Sequence, residues 1–348
     1  MLLLLLGLLM IYSTTLSSQG SLFVRQIVFA VCGIAAMLFL AFFDYRDLKK
    51  ITGWAYVAII VSLVLVWLLA EPIRGSARWI DLGFFRFQPA EFTKLIMVIV
   101  TAKVLDQHRE KIKDFRYLFL SLIYVLIPIA LILIQPDLGS AIVIFLTWLG
   151  MISFSRIKKM HLVWIFVGLL ATAVVAWFFL LHDYQKERIY TFLDPSSDPQ
   201  GSGYNVIQSI IAVGSGEYFG RGVGRGLQSQ LKFLPERQTD FIFASTAEEL
   251  GFVGSLLILA LFFLILYRLV KLMSSTRDNF GMYVTLGIFF MFLIEILVNV
   301  GMNVGLLPVT GIPLPLLSYG GSSLLTVFLA LGIIQSIAQR RKIIKFGG

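Results

Sequence analysis

The stretch Phe233-Leu-Pro-Glu-Arg-Gln-Thr-Asp-Phe-Ile-Phe-Ala244 runs from polar, turn-forming residues into a long apolar run that begins at Phe241. Arg237 and Asp240 therefore stand where water meets hydrocarbon. An ionisable residue at such a place is expensive unless it pairs or works, so it marks a functional site by default. Upstream lies a polar segment rich in Gly, Arg and Gln. Together they point to a polar reaction site at the mouth of a membrane protein.

Composition agrees. Hydrophobic residues make up 58% of the 348-residue chain and charged residues 14%. Repeated apolar runs of roughly 18 or more residues are the mark of transmembrane helices. The sequence predicts ten spans, over residues 1–16, 22–43, 51–70, 89–105, 117–134, 138–154, 160–182, 241–267, 281–307 and 316–338. Alternating β-barrel segments are absent from this pattern, so the expected class is an all-α polytopic membrane protein. It forms one membrane domain, residues 1–348, whose long insertion, 183–240, separates helices seven and eight. The first span has no basic leader or small-residue cleavage site and reads as a helix, not a signal peptide.

Lys and Arg set the orientation. Segments 44–50, 103–116, 155–159, 268–280 and 339–348 carry 18 of the 29 basic residues. This places both termini in the cytoplasm and the long insertion outside. The net charge of +9 follows the same bias and suits anionic lipid headgroups, while nucleic acid is a poor partner for a chain this apolar. A single cysteine, Cys32, excludes an intramolecular disulfide and Cys-rich metal sites. The three histidines form no zinc motif, and Gly222-x-Gly224-x-Gly226 follows no predicted strand, so a dinucleotide fingerprint is rejected.

The insertion is too long for a passive connection. Tyr204 to Val213 places Val206, Ile207, Ile210 and Ile211 on one face of a short amphipathic helix, expected to be re-entrant or to lie on the outer membrane surface. Residues 214–226 interleave six glycines with Arg221 and Arg225. Glycines let amides approach an anion, and arginines clamp phosphate oxygens. A solvated, flexible loop accounts for the same residues equally well.

A second polar set falls on the same face of the membrane. Gly75–Ile80 contains Arg78, and Gln88–Lys94 sets Pro89 in a first helical turn with Glu91 and Lys94 as i, i+3 neighbours. Asp137 tips the turn Gln135–Gly139, Asn299 and Asn303 share a face of span nine, and Pro308 to Pro315 lead into Ser318–Ser323. Each has a plain structural reading: a buried pair, an N-cap, a hairpin, small residues for helix packing. Their joint placement argues for an outward-opening polar cavity.

These motifs, with Asp194–Ala212, Gln228–Ala244 and Gly301–Ser323, resemble the SEDS family of peptidoglycan glycosyltransferases along nearly the whole chain. Gln228–Arg237 and Leu307–Leu316 are more similar to the family's elongation branch than to its division branch. The resemblance implies a ten-helix enzyme that polymerises lipid II, with undecaprenyl pyrophosphate leaving and a GlcNAc 4-hydroxyl as acceptor. It implies a class B penicillin-binding protein, a transpeptidase, as membrane partner. It carries Asp240 over as the catalytic residue and Glu91, Lys94 and Asp137 as polar cavity positions. Glycosyl transfer needs a base for the hydroxyl and positive charge for the leaving pyrophosphate. Asp240 is the base candidate, and Arg221, Arg225, Lys232 and Arg237 are phosphate candidates; Arg78 and Ser318 complete the substrate-binding set. A divalent cation, Mg or Mn, is expected to assist without a protein cage; no residue is assigned to it. Three positions depart from the family pattern: Gln238 where His is common, Glu217 in a Gly-rich turn, and Ala90 before Glu91.

The rival readings are a lipid-precursor flippase and a non-catalytic scaffold for a transpeptidase. Glu249 and Glu295, deep in spans eight and nine, support the first. Transport requires polar groups reachable from both sides, whereas these polar clusters gather on one. The two acids are expected to be structural.

Overall fold

The computed structural model describes residues 1–15, 21–70, 78–81, 83, 86–110, 114–155, 157–175, 177–178, 183–199, 201, 203–276 and 278–340. Residues 75–77 of the Gly75–Ile80 motif and the basic stretch 341–348 lie outside them. Each expected span has a helix. The first seven are α1 (Leu2–Thr15), α2 (Ser21–Phe42), α3 (Tyr45–Leu69), α4 (Pro89–Gln107), α5 (Phe115–Ile134), α6 (Leu138–Ser153) and α7 (Lys159–Val175). The insertion holds α8 (Asp183–Leu193), α9 (Tyr204–Ser215) and α10 (Leu227–Gln230); α11 (Ile242–Ser275), α12 (Asn279–Asn303) and α13 (Gly321–Arg340) follow. Among them α2, α3, α5, α11, α12 and α13 are long and apolar enough to cross a bilayer, and α1, α6 and part of α7 are shorter apolar helices. The protein is a helical, multi-pass membrane protein. Among the described residues the all-α pattern carries one small addition, a hairpin of β1 (Ile80–Asp81) and β2 (Arg86–Phe87) paired Ile80 to Phe87 and Asp81 to Arg86.

The chain forms two compact units. The first comprises Met1–Gln26, Ile157–Phe262 and Glu295–Tyr319; the second comprises Ile27–Arg156, Phe263–Ile294 and Gly320–Gly348.

In the second unit the least apolar helix is the most enclosed. α4 carries Glu91, Lys94, Lys103 and Asp106, yet buries residues around its whole circumference and packs on α3, α5, α6 and α13. Meanwhile α3 exposes Trp54, Val57, Val61, Trp67 and Leu68. This inversion is what a lipid solvent selects: apolar side chains need no shelter there, whereas polar ones do.

In the first unit the same rule applies to α9. Its buried residues are Val206, Ser209 and Ala212, whereas Ile210 and Ile211 are exposed. Small residues allow close backbone approach, and Ser209 Oγ donates to the Asn303 carbonyl at 2.8 Å. Ala212 packs with Leu234, Phe241 and Ala244 in a small core.

The long helix α11 is broken. Gly251 has φ 69° and ψ −167° inside it, a conformation open essentially to glycine alone. The break frees two carbonyls and two amides, and the 217–222 segment satisfies them. Arg221 and Gly222 N–H donate to Glu248 and Glu249 carbonyls at 3.0 Å each, while Phe252 and Val253 N–H donate to Glu217 and Tyr218 carbonyls at 2.8 and 3.1 Å. Irregular backbone in a membrane protein survives where protein buries and pairs it. The segment acts as a strap across the break.

Candidate active site

Asp240 sits two residues before α11, at the end of a rigidly held segment. Three consecutive carbonyls are occupied. Tyr319 N–H donates to the Gln238 carbonyl at 2.8 Å. Ser318 Oγ donates to the Thr239 carbonyl at 2.6 Å and accepts from Leu314 N–H at 2.8 Å. The Asp240 carbonyl receives Nδ2 of Asn299 and of Asn303, each at 3.0 Å. Asn303 Oδ1 also accepts the Ala244 N–H at 3.0 Å, capping the first turn of α11. The Ser318 hydroxyl, expected to meet substrate, is thus engaged with the Asp240 segment.

Arg237 is buried, and its guanidinium is spent on the protein. Nε and Nη2 donate to the Thr14 carbonyl at 3.0 and 2.7 Å, and Nη1 donates to the Ser229 carbonyl. Burial pulls its pKa below the ordinary value, and the Glu249 carboxylate opposes this. Arg221, Arg225 and Lys232 remain exposed, with Arg221 Nε donating to the Ser215 carbonyl at 3.2 Å. Lys232 has φ 62°.

The Gly-rich segment uses its amides internally. Besides the strap bonds, Gly224 N–H donates to Ser13 Oγ at 3.0 Å and Glu249 Oε2 at 3.1 Å. Glu249 also accepts from Ser13 Oγ, at 2.7 and 2.5 Å to its two oxygens, and from Gln230 Nε2 at 3.2 Å. Glu248 accepts from the amides of Gln228 and Ser229 at 2.7 and 3.0 Å and from Ser229 Oγ at 2.6 Å. Any anion held here therefore meets arginine side chains more than loop amides. An open groove of about 500 Å³ beside the break is lined by Glu217, Tyr218 and Phe252.

The second unit joins the other candidates in pairs. Glu91 and Lys94, in the first two turns of α4, are both buried and form a 2.9 Å ion pair. Asp137 caps α6, accepting from Ser140 N–H at 3.2 Å and Ser140 Oγ at 2.9 Å. It also accepts from Gln88 Nε2 at 3.1 Å and lies 3.7 Å from Arg78 Nη1. Arg78 Nε further donates to the Gln135 carbonyl at 3.3 Å.

Sequence reasoning missed Glu248, Ser13 and Thr14, and it named Asn299 and Asn303 without a task. The one local signal was two adjacent acids two residues before a glycine inside an apolar run, a sign of a helix that stops and restarts.

The FtsW/RodA/SpoVE family model, described as cell cycle protein, matches residues 1–343. The chain is 39% identical over 325 residues to peptidoglycan glycosyltransferase MrdB of Escherichia coli K12, covering 92% of this chain and 86% of that one. It superposes with a TM-score of 0.83 and 32% identity on a chain from a peptidoglycan synthase complex that coordinates polymerization and crosslinking, covering 98% and 95% of the two chains. The rod shape determining protein RodA of Thermus thermophilus gives a TM-score of 0.73 at 28% identity with the same coverage. A family match along almost the whole length and these likenesses agree: the chain belongs to the FtsW/RodA/SpoVE, or SEDS, family.

Proposed function

We infer that this chain is a peptidoglycan glycosyltransferase that polymerises lipid II at the outer face of the bacterial cytoplasmic membrane during cell elongation. The observation that carries the mechanism is the splint of hydrogen bonds on carbonyls 238–240, which fixes one carboxylate-bearing residue at the start of a helix. Such preorganisation is what a general base needs.

In this reading Asp240 takes the proton from the 4-hydroxyl of the acceptor GlcNAc. The freed oxygen attacks the anomeric carbon of the donor, the bond to pyrophosphate breaks, and undecaprenyl pyrophosphate departs. The exposed Arg221, Arg225 and Lys232 are the candidate cations for offsetting its charge; Arg237 instead holds the loop. In the second unit, Arg78, Glu91, Lys94 and Asp137 are substrate-contact candidates. Among the described residues no three His, Cys, Asp or Glu gather into a metal site. A Mg or Mn ion, if used, would be held by the Asp240 carboxylate without a dedicated protein cage. When bound, the ion would neutralise leaving-group charge.

Both termini are cytoplasmic in this reading, supported by the Lys and Arg distribution. The membrane partner is a class B penicillin-binding transpeptidase; its support is the likeness to a synthase complex that couples polymerization to crosslinking. The transporter reading loses its main support at Glu249, whose oxygens tie the strap to α1.

Purified protein supplied with lipid II should form glycan strands without another polymerase. Asp240→Asn keeps the shape and removes the base, so it should insert normally and make no polymer. Near-normal polymerisation by that variant sinks the assignment.

A further inference from the structure

We propose that Asn303, assisted by Asn299, is a positioning residue that aims the Asp240 carboxylate; this rests on the reading of Asp240 as the base. The two asparagines lie four residues apart on one face of the last turns of α12, and both are fully buried. Buried amides are expensive unless every polar atom is satisfied. Here their Nδ2 groups converge on a single carbonyl, that of Asp240, at 3.0 Å each. A carbonyl oxygen has two lone pairs, so both are taken. Of the remaining capacity, Asn303 Oδ1 takes the Ala244 N–H at 3.0 Å, Asn299 Nδ2 reaches the Ile312 carbonyl at 2.8 Å, and Asn303 Nδ2 also donates to the Asn299 carbonyl at 2.8 Å.

Ser318 holds the peptide plane before the Asp240 Cα and the two asparagines hold the one after it, and with both planes held the direction of the Cα–Cβ bond is fixed. The facing segment keeps that direction open. Gly311 has φ 75°, and a Cβ there would lie 3.4 Å from Asp240 Oδ2. The asparagines thus set where the carboxylate points, and Gly311 leaves the space beside it unfilled. Neither asparagine needs to touch substrate.

The test separates aiming from folding. Asn303→Asp keeps an acceptor for Ala244 N–H but replaces the donor facing the Asp240 carbonyl with oxygen. Labelled lipid II would be used to count binding sites per protein, and polymerisation would be normalised to that count. The expected result is a 10- to 100-fold loss of kcat with KM within twofold of the parent, since a shift of about 1 Å in a catalytic group has that effect. A loss that vanishes after normalisation, or a raised KM at unchanged kcat, overturns the proposal. Should Asn303→Asp fail to insert, Asn299→Ala decides. It keeps the Asn303 bonds to the Asp240 carbonyl, the Ala244 N–H and the Asn299 carbonyl, loses the 3.4 Å contact to Asn299 Oδ1, and is expected to lose three- to tenfold in normalised kcat; parental kcat in that variant overturns the proposal. Asp240→Asn alone separates the two claims, because its near-normal activity removes the base reading whatever Asn303 does.

Discussion

Replacing Gly251 by Ala probes the broken helix directly. At φ 69° and ψ −167° the backbone is strained for any residue with a Cβ, at roughly 1–3 kcal/mol. The added Cβ would also sit 2.2 Å from Gly220 N and 2.6 Å from the Phe219 carbonyl carbon. Backbone atoms on both sides cannot yield independently, so the strap must lift. Losing two of its four hydrogen bonds, at about 1 kcal/mol each, brings the total to about 3–5 kcal/mol. Local opening should then be favoured by a factor of about 100 to 5,000, at 1.4 kcal/mol per decade. Amide hydrogen exchange at Phe252 and Val253 in detergent or nanodiscs reads this quantity. Gly214→Ala is the matched control: Gly214 lies in α9 with nothing within 4 Å of an added Cβ. Equal protection of Phe252 and Val253 in the two variants would refute the reasoning.

Three further expectations can be measured in the same preparations. Lys94→Met leaves the Glu91 carboxylate buried without its 2.9 Å partner; it should lose about 3–5 kcal/mol, while Glu91→Gln combined with Lys94→Met should recover most of the thermal stability. Arg237→Lys cannot reproduce the guanidinium's contacts to the Thr14 and Ser229 carbonyls; a loss of about 1.5–3 kcal/mol with faster exchange in residues 228–234 is expected, and unchanged stability would contradict the anchoring role. Glu217→Gly relieves a non-glycine residue at φ 46° and should raise the melting temperature, by an amount equivalent to about 1 kcal/mol; a lower one would show that the carboxylate itself is needed.

The membrane class and the order of helices were legible because apolar run length is a composition signal that survives any tertiary context. Pro89 at the head of α4, the Asp137 cap and the Glu91–Lys94 pair were legible because each is local, fixed by spacing of a few residues. On α9 the apolar pair Ile210 and Ile211 was legible from spacing, whereas the inward stripe Val206, Ser209, Ala212 was not, because its partners Asn303, Leu234 and Phe241 are distant in sequence. The tasks of Arg237, Glu248 and Glu249 were hidden for the same reason. Their partners Thr14, Ser229 and Ser13 are set by how distant segments meet, and no short-range pattern encodes that.

The grip on the end of α1 has a consequence for biosynthesis. Ser13 bonds Glu249 across 236 residues of sequence, and Thr14 bonds Arg237 across 223. At roughly 5–20 residues per second, α1 waits about 10–50 s on the nascent chain before these partners are translated. During that interval the Ser13 hydroxyl and the Thr14 carbonyl must borrow other hydrogen-bonding company, from water at the bilayer edge or from the insertion machinery. α1 is therefore locked long after it is made. Until that happens the segment bearing Asp240 lacks its anchor, so the site cannot mature before α11 has been made.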